Sequence, residues 1–203
     1  MPEAKDKGQG TKDQGLLLVL CGPSGVGKST ISRQLAERCG IRYATSVTTR
    51  EQRPGDDKGK TYEYVEKTEF YRRLDNDEYL EYAQVYGQYY ATPKVPAMDW
   101  LGAGQDVLLE IDVQGALQVR HHYPAAVLTF ILPPDERTLL QRLNDRGRDD
   151  AAEVDKRFRA AKREIQMAKG SRAFDYMVIN DDLDDAVQEI EKVLRHKRSL
   201  GEI

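Results

Sequence analysis

Leu16 to Ser29 runs LLLVLCGPSGVGKS, and this stretch decides the fold. Its first six residues, up to Cys21, are apolar without a break and sit between Gly15 and Gly22, as expected of a strand covered on both faces of a parallel sheet. Gly22, Pro23, Ser24, Gly25, Val26, Gly27, Lys28 and Ser29 then satisfy GxxxxGK[ST], directly after that strand and directly before a helical pattern. Glycines let backbone N–H groups turn inward toward phosphate oxygens, and the helix N-terminus adds a partial positive charge. Lys28 supplies a mobile cation for the β- and γ-phosphates, Ser29 a hydroxyl for Mg²⁺, and Thr30 continues the loop into the helix. The glycine spacing is not that of a dinucleotide-binding fingerprint. Phosphate binding alone leaves kinases, GTPases and motor ATPases open.

Working outward, Val107 to Ile111, Val127 to Leu132 and Tyr176 to Ile179 have the same character as the first strand. Helical patterns lie between and after them: Lys28 to Arg38, Asp135 to Leu143, Ala151 to Ala168 and Leu183 to Arg195. Strands alternating with helices predict an α/β domain with a mostly parallel sheet. Residues 45–103 break the rhythm with Tyr, Gly, charges and short alternating pieces, and read as an inserted antiparallel subdomain. Residues 1–15 are polar and glycine-rich, and read as a disordered tail.

Composition narrows the class. The 203 residues carry a formal charge of −3, so no general electrostatic pull on nucleic acid exists and any anion must be held locally. With 32% of residues charged, no membrane-spanning run is present, and the polar start lacks the apolar core of a secretory signal. Cys21 and Cys39 match neither a redox pair nor a zinc spacing, which points to a reducing, cytoplasmic setting.

Arg50 and Arg53 stand three apart in a glycine-punctuated loop, where two guanidinium forks can clamp one phosphate dianion. Tyr62 and Tyr90 are candidate hydroxyl donors to the same phosphate. Val107 to Asp112, VLLEID, is an apolar strand that ends in acids, and strand alternation puts Glu110 and Asp112 on one face near the phosphate loop.

Thr45 to Val65, TSVTTREQRPGDDKGKTYEYV, resembles the nucleotide-acceptor segment of guanylate kinases, close to SxxTTRxPRxGExxGxxYxFV. Ser46, Thr48, Thr49, Arg50, Arg53, Gly55, Gly59, Tyr62 and Val65 fall at matching positions. The likeness continues through Glu81, Gly87 to Thr92, Asp112 to Gly115 and Asn180–Asp181, and covers about 16–200. Leu139 to Arg159 resembles the family's lid, RLxxRGxD before an ExxxxR helix, with Arg142, Arg146, Asp149, Glu153 and Arg157 in place. Gln52 stands for the usual Pro, Asp56 for Glu, and Ala91 for the Gly before Thr92.

The resemblance implies a three-layer P-loop NTPase fold: a five-stranded, mostly parallel sheet, a mixed α/β GMP-binding insertion at 45–103 and a helical lid at 133–158, all within a domain at 16–203. It implies transfer of the γ-phosphoryl of MgATP to GMP and dGMP, giving ADP and GDP, in purine nucleotide metabolism and GMP recycling. Lys28, Arg53, Arg142, Arg146 and Arg157 are then the catalytic cations, and residues 22–30 hold ATP. Ser46, Arg50, Arg53, Tyr62, Glu81, Tyr90, Thr92 and Asp112 hold the acceptor, with Glu81 reading guanine. Ser29 and Glu110 serve Mg²⁺. The partners are small nucleotides, not nucleic acid or membrane, and the sequence does not give the oligomeric state.

Overall fold

The computed structural model describes residues 14–53, 62–145 and 150–200. Two sheets are built. The central sheet holds β1 (Leu17–Cys21), β2 (Arg42–Tyr43), β7 (Val107–Glu110), β8 (Val127–Leu132) and β9 (Tyr176–Ile179) in the order β2-β7-β1-β8-β9. All of its pairings are parallel, with Leu17 opposite Val107 and Leu18 opposite Val127. The strand missed by the periodic reading is β2, whose two residues are too few to show a period.

Alternate residues of β1 feed opposite faces, as strand geometry requires. Leu18 and Leu20 pack with Ile31 and Leu35 of α1 (Lys28–Cys39) and with Val187, Ile190 and Leu194 of α7 (Leu183–Leu200). Leu17 and Val19 pack with Leu101 of α3 (Lys94–Gly102), with Ala116 and Val119 of α4 (Val113–His122), and with Ala168 of α6 (Ala151–Ser171). A fully buried Leu or Val is worth roughly 1.5–3 kcal/mol, so the β1 side chains alone anchor both helical layers.

The second sheet has the order β4-β3-β6-β5, from β3 (Ser46–Thr48), β4 (Tyr62–Tyr64), β5 (Tyr79–Val85) and β6 (Gln88–Pro93). It is not purely antiparallel: β3 and β4 run parallel, while β6 is antiparallel to both β3 and β5. Its own small core joins Val47, Tyr79 and Ala91 to Phe70 of α2 (Lys67–Asp75). Ala91 is fully buried there, so its methyl group is accommodated where the resemblance expects glycine. The last helix of the 45–103 stretch, α3, packs on the central sheet through Ala97 and Leu101 and not on this small core.

Four of the described helices open on an aspartate that accepts an N–H three residues on: Asp112 from Gly115, Asp135 from Thr138 at the start of α5 (Glu136–Asn144), Asp150 from Glu153, and Asp182 from Asp185 at the start of α7. Such caps are worth ~1 kcal/mol each. The chain is already held at Gly15, whose N–H donates to Leu101 O at 2.9 Å, so the polar tail read at 1–15 is anchored at its end; residues 1–13 lie outside the described part.

Candidate active site

One cavity of about 470 Å³ lies between the phosphate loop, the second sheet and α6. Its floor is the loop itself: Gly22, Pro23, Ser24, Gly25, Gly27, Lys28 and Ser29 all line it. Gly27 has φ 94° and begins α1 with no side-chain cap; Thr30 N–H already donates to Gly27 O at 3.1 Å, which leaves the N–H groups of Lys28 and Ser29 to face an anion. Lys28 Nζ donates to the carbonyls of Gly22 and Pro23, the latter at 3.2 Å, which folds the ammonium back over its own loop. Asn180 Nδ2 donates to Val26 O at 2.6 Å and braces the loop from behind. A Cβ on Gly27 would stand 2.5 Å from that amide, so both the positive φ and the close approach demand glycine there. Val26 itself is buried and Thr30 does not line the cavity.

Ser29 Oγ donates to Glu110 Oε1 at 2.7 Å, and Tyr43 OH donates to Glu110 Oε2 at 3.4 Å. Burial, reinforced by the adjacent Glu110 charge, pushes the Tyr43 phenol well above its ordinary value, so it stays a donor. Asp112 is not on the strand beside Glu110: β7 ends at Glu110, and Asp112 is the N-cap of α4. Both acids still reach the cavity.

On the second sheet, Ser46, Arg50, Arg53, Tyr62, Glu81 and Tyr90 line the same space. The arginine loop is tied to β6 by its threonines: Thr48 Oγ1 donates to Tyr89 O at 2.9 Å, and Arg50 N donates back to Thr48 Oγ1 at 3.1 Å. The Arg50 guanidinium lies 5.4 Å from the Tyr62 ring centre, and Tyr62 packs edge-on to Tyr90 at 5.8 Å. Gly55, Asp56 and Gly59 lie outside the described residues. Glu81 is 4% exposed and accepts a hydrogen bond from Thr92 Oγ1 at 2.7 Å. Burial raises its pKa to about 7, with the Asp112 charge adding to the rise and the Thr92 hydrogen bond opposing it. Thr92 therefore acts on the site through Glu81.

Helix α6 brings Glu153, Lys156, Arg157 and Glu164 to the cavity wall. Arg157 lies 3.6 Å from Glu153 Oε1 and is held well inside the protein. Lys156, Glu164 and Tyr86 were not singled out from the sequence, although Glu153, Arg157 and Glu164 are spaced by four and seven and so share one helical face. Burial raises Glu164 to about 7 despite the attraction of Lys28. Arg142 is placed differently from the catalytic role read for it. Its guanidinium donates to Asn180 O at 2.9 Å and to Asp181 O at 3.4 Å, and it does not line the cavity. Arg146 and Asp149 lie outside the described residues.

The phosphate loop thus faces a buried carboxylate and an arginine pair across one cavity. The family model described as guanylate kinase matches residues 14–197. The chain belongs to the guanylate kinase family. The guanylate kinase of Latilactobacillus sakei subsp. sakei (strain 23K) is 46% identical over 184 residues, covering 90% of this chain and 89% of that protein. That of Carboxydothermus hydrogenoformans is 44% identical over 182 residues, covering 89% and 88%. The crystal structure of guanylate kinase from Anaplasma phagocytophilum superimposes with a TM-score of 0.77 at 33% identity, covering 92% of this chain and 87% of the other. The architecture is thus that of a guanylate kinase, an ATP-dependent phosphotransferase acting on GMP. Among the described residues no helix is long and apolar enough to cross a membrane.

Proposed function

We propose that this guanylate kinase moves the γ-phosphoryl of ATP to both GMP and dGMP, serving purine nucleotide supply and GMP recycling, with the residues assigned as follows. The reading is carried by Glu81, a buried carboxylate that faces the same cavity as the phosphate loop. Ionised, it accepts from N1–H and the 2-amino group of guanine. Adenine offers a lone pair at N1 and no 2-amino group, and a site built on paired buried hydrogen bonds rejects such an analogue by orders of magnitude. Ser46 lines the same cavity, and GMP and dGMP present the same base edge to Glu81.

Arg50, Arg53, Tyr62 and Tyr90 hold the acceptor phosphate, and the phosphate loop holds those of ATP. An acceptor phosphate oxygen attacks the γ-phosphorus while the bond to the β–γ bridging oxygen breaks, so GDP forms and ADP leaves with the electron pair. Charge spreads over the equatorial oxygens, and stabilisation by fixed cations is the main catalytic term. Lys28 moves from its loop carbonyls to the β–γ bridge, and Arg157 faces the transferring group from α6. Arg142 acts by bracing the Asn180 loop, and Arg146 completes the set of lid cations by resemblance. Ser29 and Glu110 are hard oxygen ligands already in contact, the donor set for Mg²⁺ held largely by phosphates and water. When bound, that ion neutralises phosphate charge. ADP formation measured with GMP, dGMP, AMP, CMP and UMP at equal concentration tests the reading: GMP and dGMP should lead, and a preference for AMP overturns it.

A further inference from the structure

Glu81 is gripped on one oxygen by Thr92, but what fixes the other lies across the subdomain boundary. A Cβ on Gly115 of α4 would stand 2.1 Å from Glu81 Oε2 and 2.9 Å from its Cδ. Gly115 sits in the first turn of α4, its N–H bonded to Asp112 Oδ1 at 2.9 Å, and its φ is not in the left-handed region. No backbone requirement calls for glycine here; the missing side chain makes room for the carboxylate.

The neighbouring residue is tied to the same helix. Gln118 Oε1 accepts from Tyr82 N at 3.2 Å, and Gln118 Nε2 donates to Tyr82 O at 2.6 Å. Gln114 Nε2, one turn earlier, donates to Gln84 O at 3.4 Å. Strand β5 is the edge of its sheet, so these backbone groups have no strand beside them. Four helical residues rise about 6 Å and two strand residues about 6.7 Å, so amides at 114 and 118 match alternate residues of the edge. A second cavity of about 430 Å³ runs along this edge, lined by Leu80, Glu81, Tyr82, Lys94 and Gln118.

We propose that α4 is the gauge of acceptor specificity: Gly115 is a specificity-determining residue that sets the depth of the Glu81 carboxylate, and Gln118 is a positioning residue that sets the register of its strand. The inference rests on the reading that Glu81 recognises guanine. A methyl group at 115 drives Oε2 aside and tilts the carboxylate off the line of the guanine edge, while the arginine pair and the phosphate loop are untouched.

The test is Gly115→Ala in the full chain, with kcat/KM for GMP and for IMP, which lacks only the 2-amino group, together with the KM for ATP and thermal melting. The GMP-to-IMP preference should fall about tenfold, the size expected when one buried pairing is lost, with the ATP KM unchanged. Alanine is the better helix former, so melting should not fall; a merely structural role would lower it and leave the preference intact. Gln118→Met, which keeps length and removes the amide, should raise the GMP KM several-fold with kcat at saturating GMP and the ATP KM unchanged. A wild-type GMP-to-IMP preference in folded Gly115→Ala, or an unchanged GMP KM in Gln118→Met should the first variant not fold, overturns the proposal. Glu81→Gln separates the two levels: if it loses the preference while Gly115→Ala keeps it, only the role of α4 fails, and if it keeps the preference the base reading fails first.

Discussion

Two helices point their N-termini into one cavity and treat them in opposite ways. Helix α1 starts at a glycine with no side-chain cap and no acid in its first turn, while α4 starts at Asp112, whose carboxylate takes the N–H of Gly115. An open helix end holds a phosphate through unsatisfied N–H groups and the helix dipole, whereas an end closed by its own carboxylate repels a further anion. In the proposed function the first serves the charged tail of one nucleotide and the second forms a wall against the neutral edge of the other.

Removing the cation at the open end is the strongest way to break this contrast. Lys28→Ala should lower kcat by ~10² or more, since a preorganised cation at developing charge is a several-kcal/mol effect, while equilibrium binding of GMP stays near wild type. Loss of GMP binding in the folded variant would show that the two ends are not independent.

The closed side is sharpened by pH. A Glu81 pKa of about 7, set first by burial, lies above the unfolded value near 4.3, so the native state binds the extra proton. Stability from this group is present below about pH 4 and is lost as pH rises toward and through 7. Guanine donors need the ionised form, so GMP binding should weaken by up to about tenfold per pH unit below 7. The GMP KM measured between pH 5.5 and 8 should carry this slope, and Glu81→Gln should flatten it against the background set by Glu164 and the phosphates. Equal slopes in the two proteins would remove Glu81 from the base site.

Smallest is the cap itself. Asp112→Ala should cost ~1 kcal/mol, a fall of about 2–4 °C in Tm for a domain of this size. Asp112→Asn, which keeps the capping oxygen, should recover most of it in the same melting experiment. If Asn melts as low as Ala, the carboxylate acts by charge and not as a cap.

The two ends also differed in how far the sequence revealed them. The open end is local: strand, glycine loop, lysine and helix lie within fourteen consecutive residues, and each part constrains the next. The closed end is assembled from β5, α4 and the β6 threonine, and no local period reports that Glu81 meets Gly115. Helix α4 was itself hidden because Asp112 follows an apolar strand and reads as its last residue. Its signal was Val113, Ala116 and Val119 at helical spacing behind a capping aspartate. Arg142 matched a lid pattern, yet its partners are carbonyls 38 and 39 residues away, a contact that spacing does not encode.

The bond from Asn180 to Val26 joins residues 154 apart in the chain. During synthesis the phosphate loop emerges long before the amide that braces it. Because domains are completed as units and non-local contacts close late, nascent chains that stop before β9 carry an intact nucleotide-loop sequence without its rear support. Competence to grip a triphosphate thereby becomes a report that the chain has been made through β9.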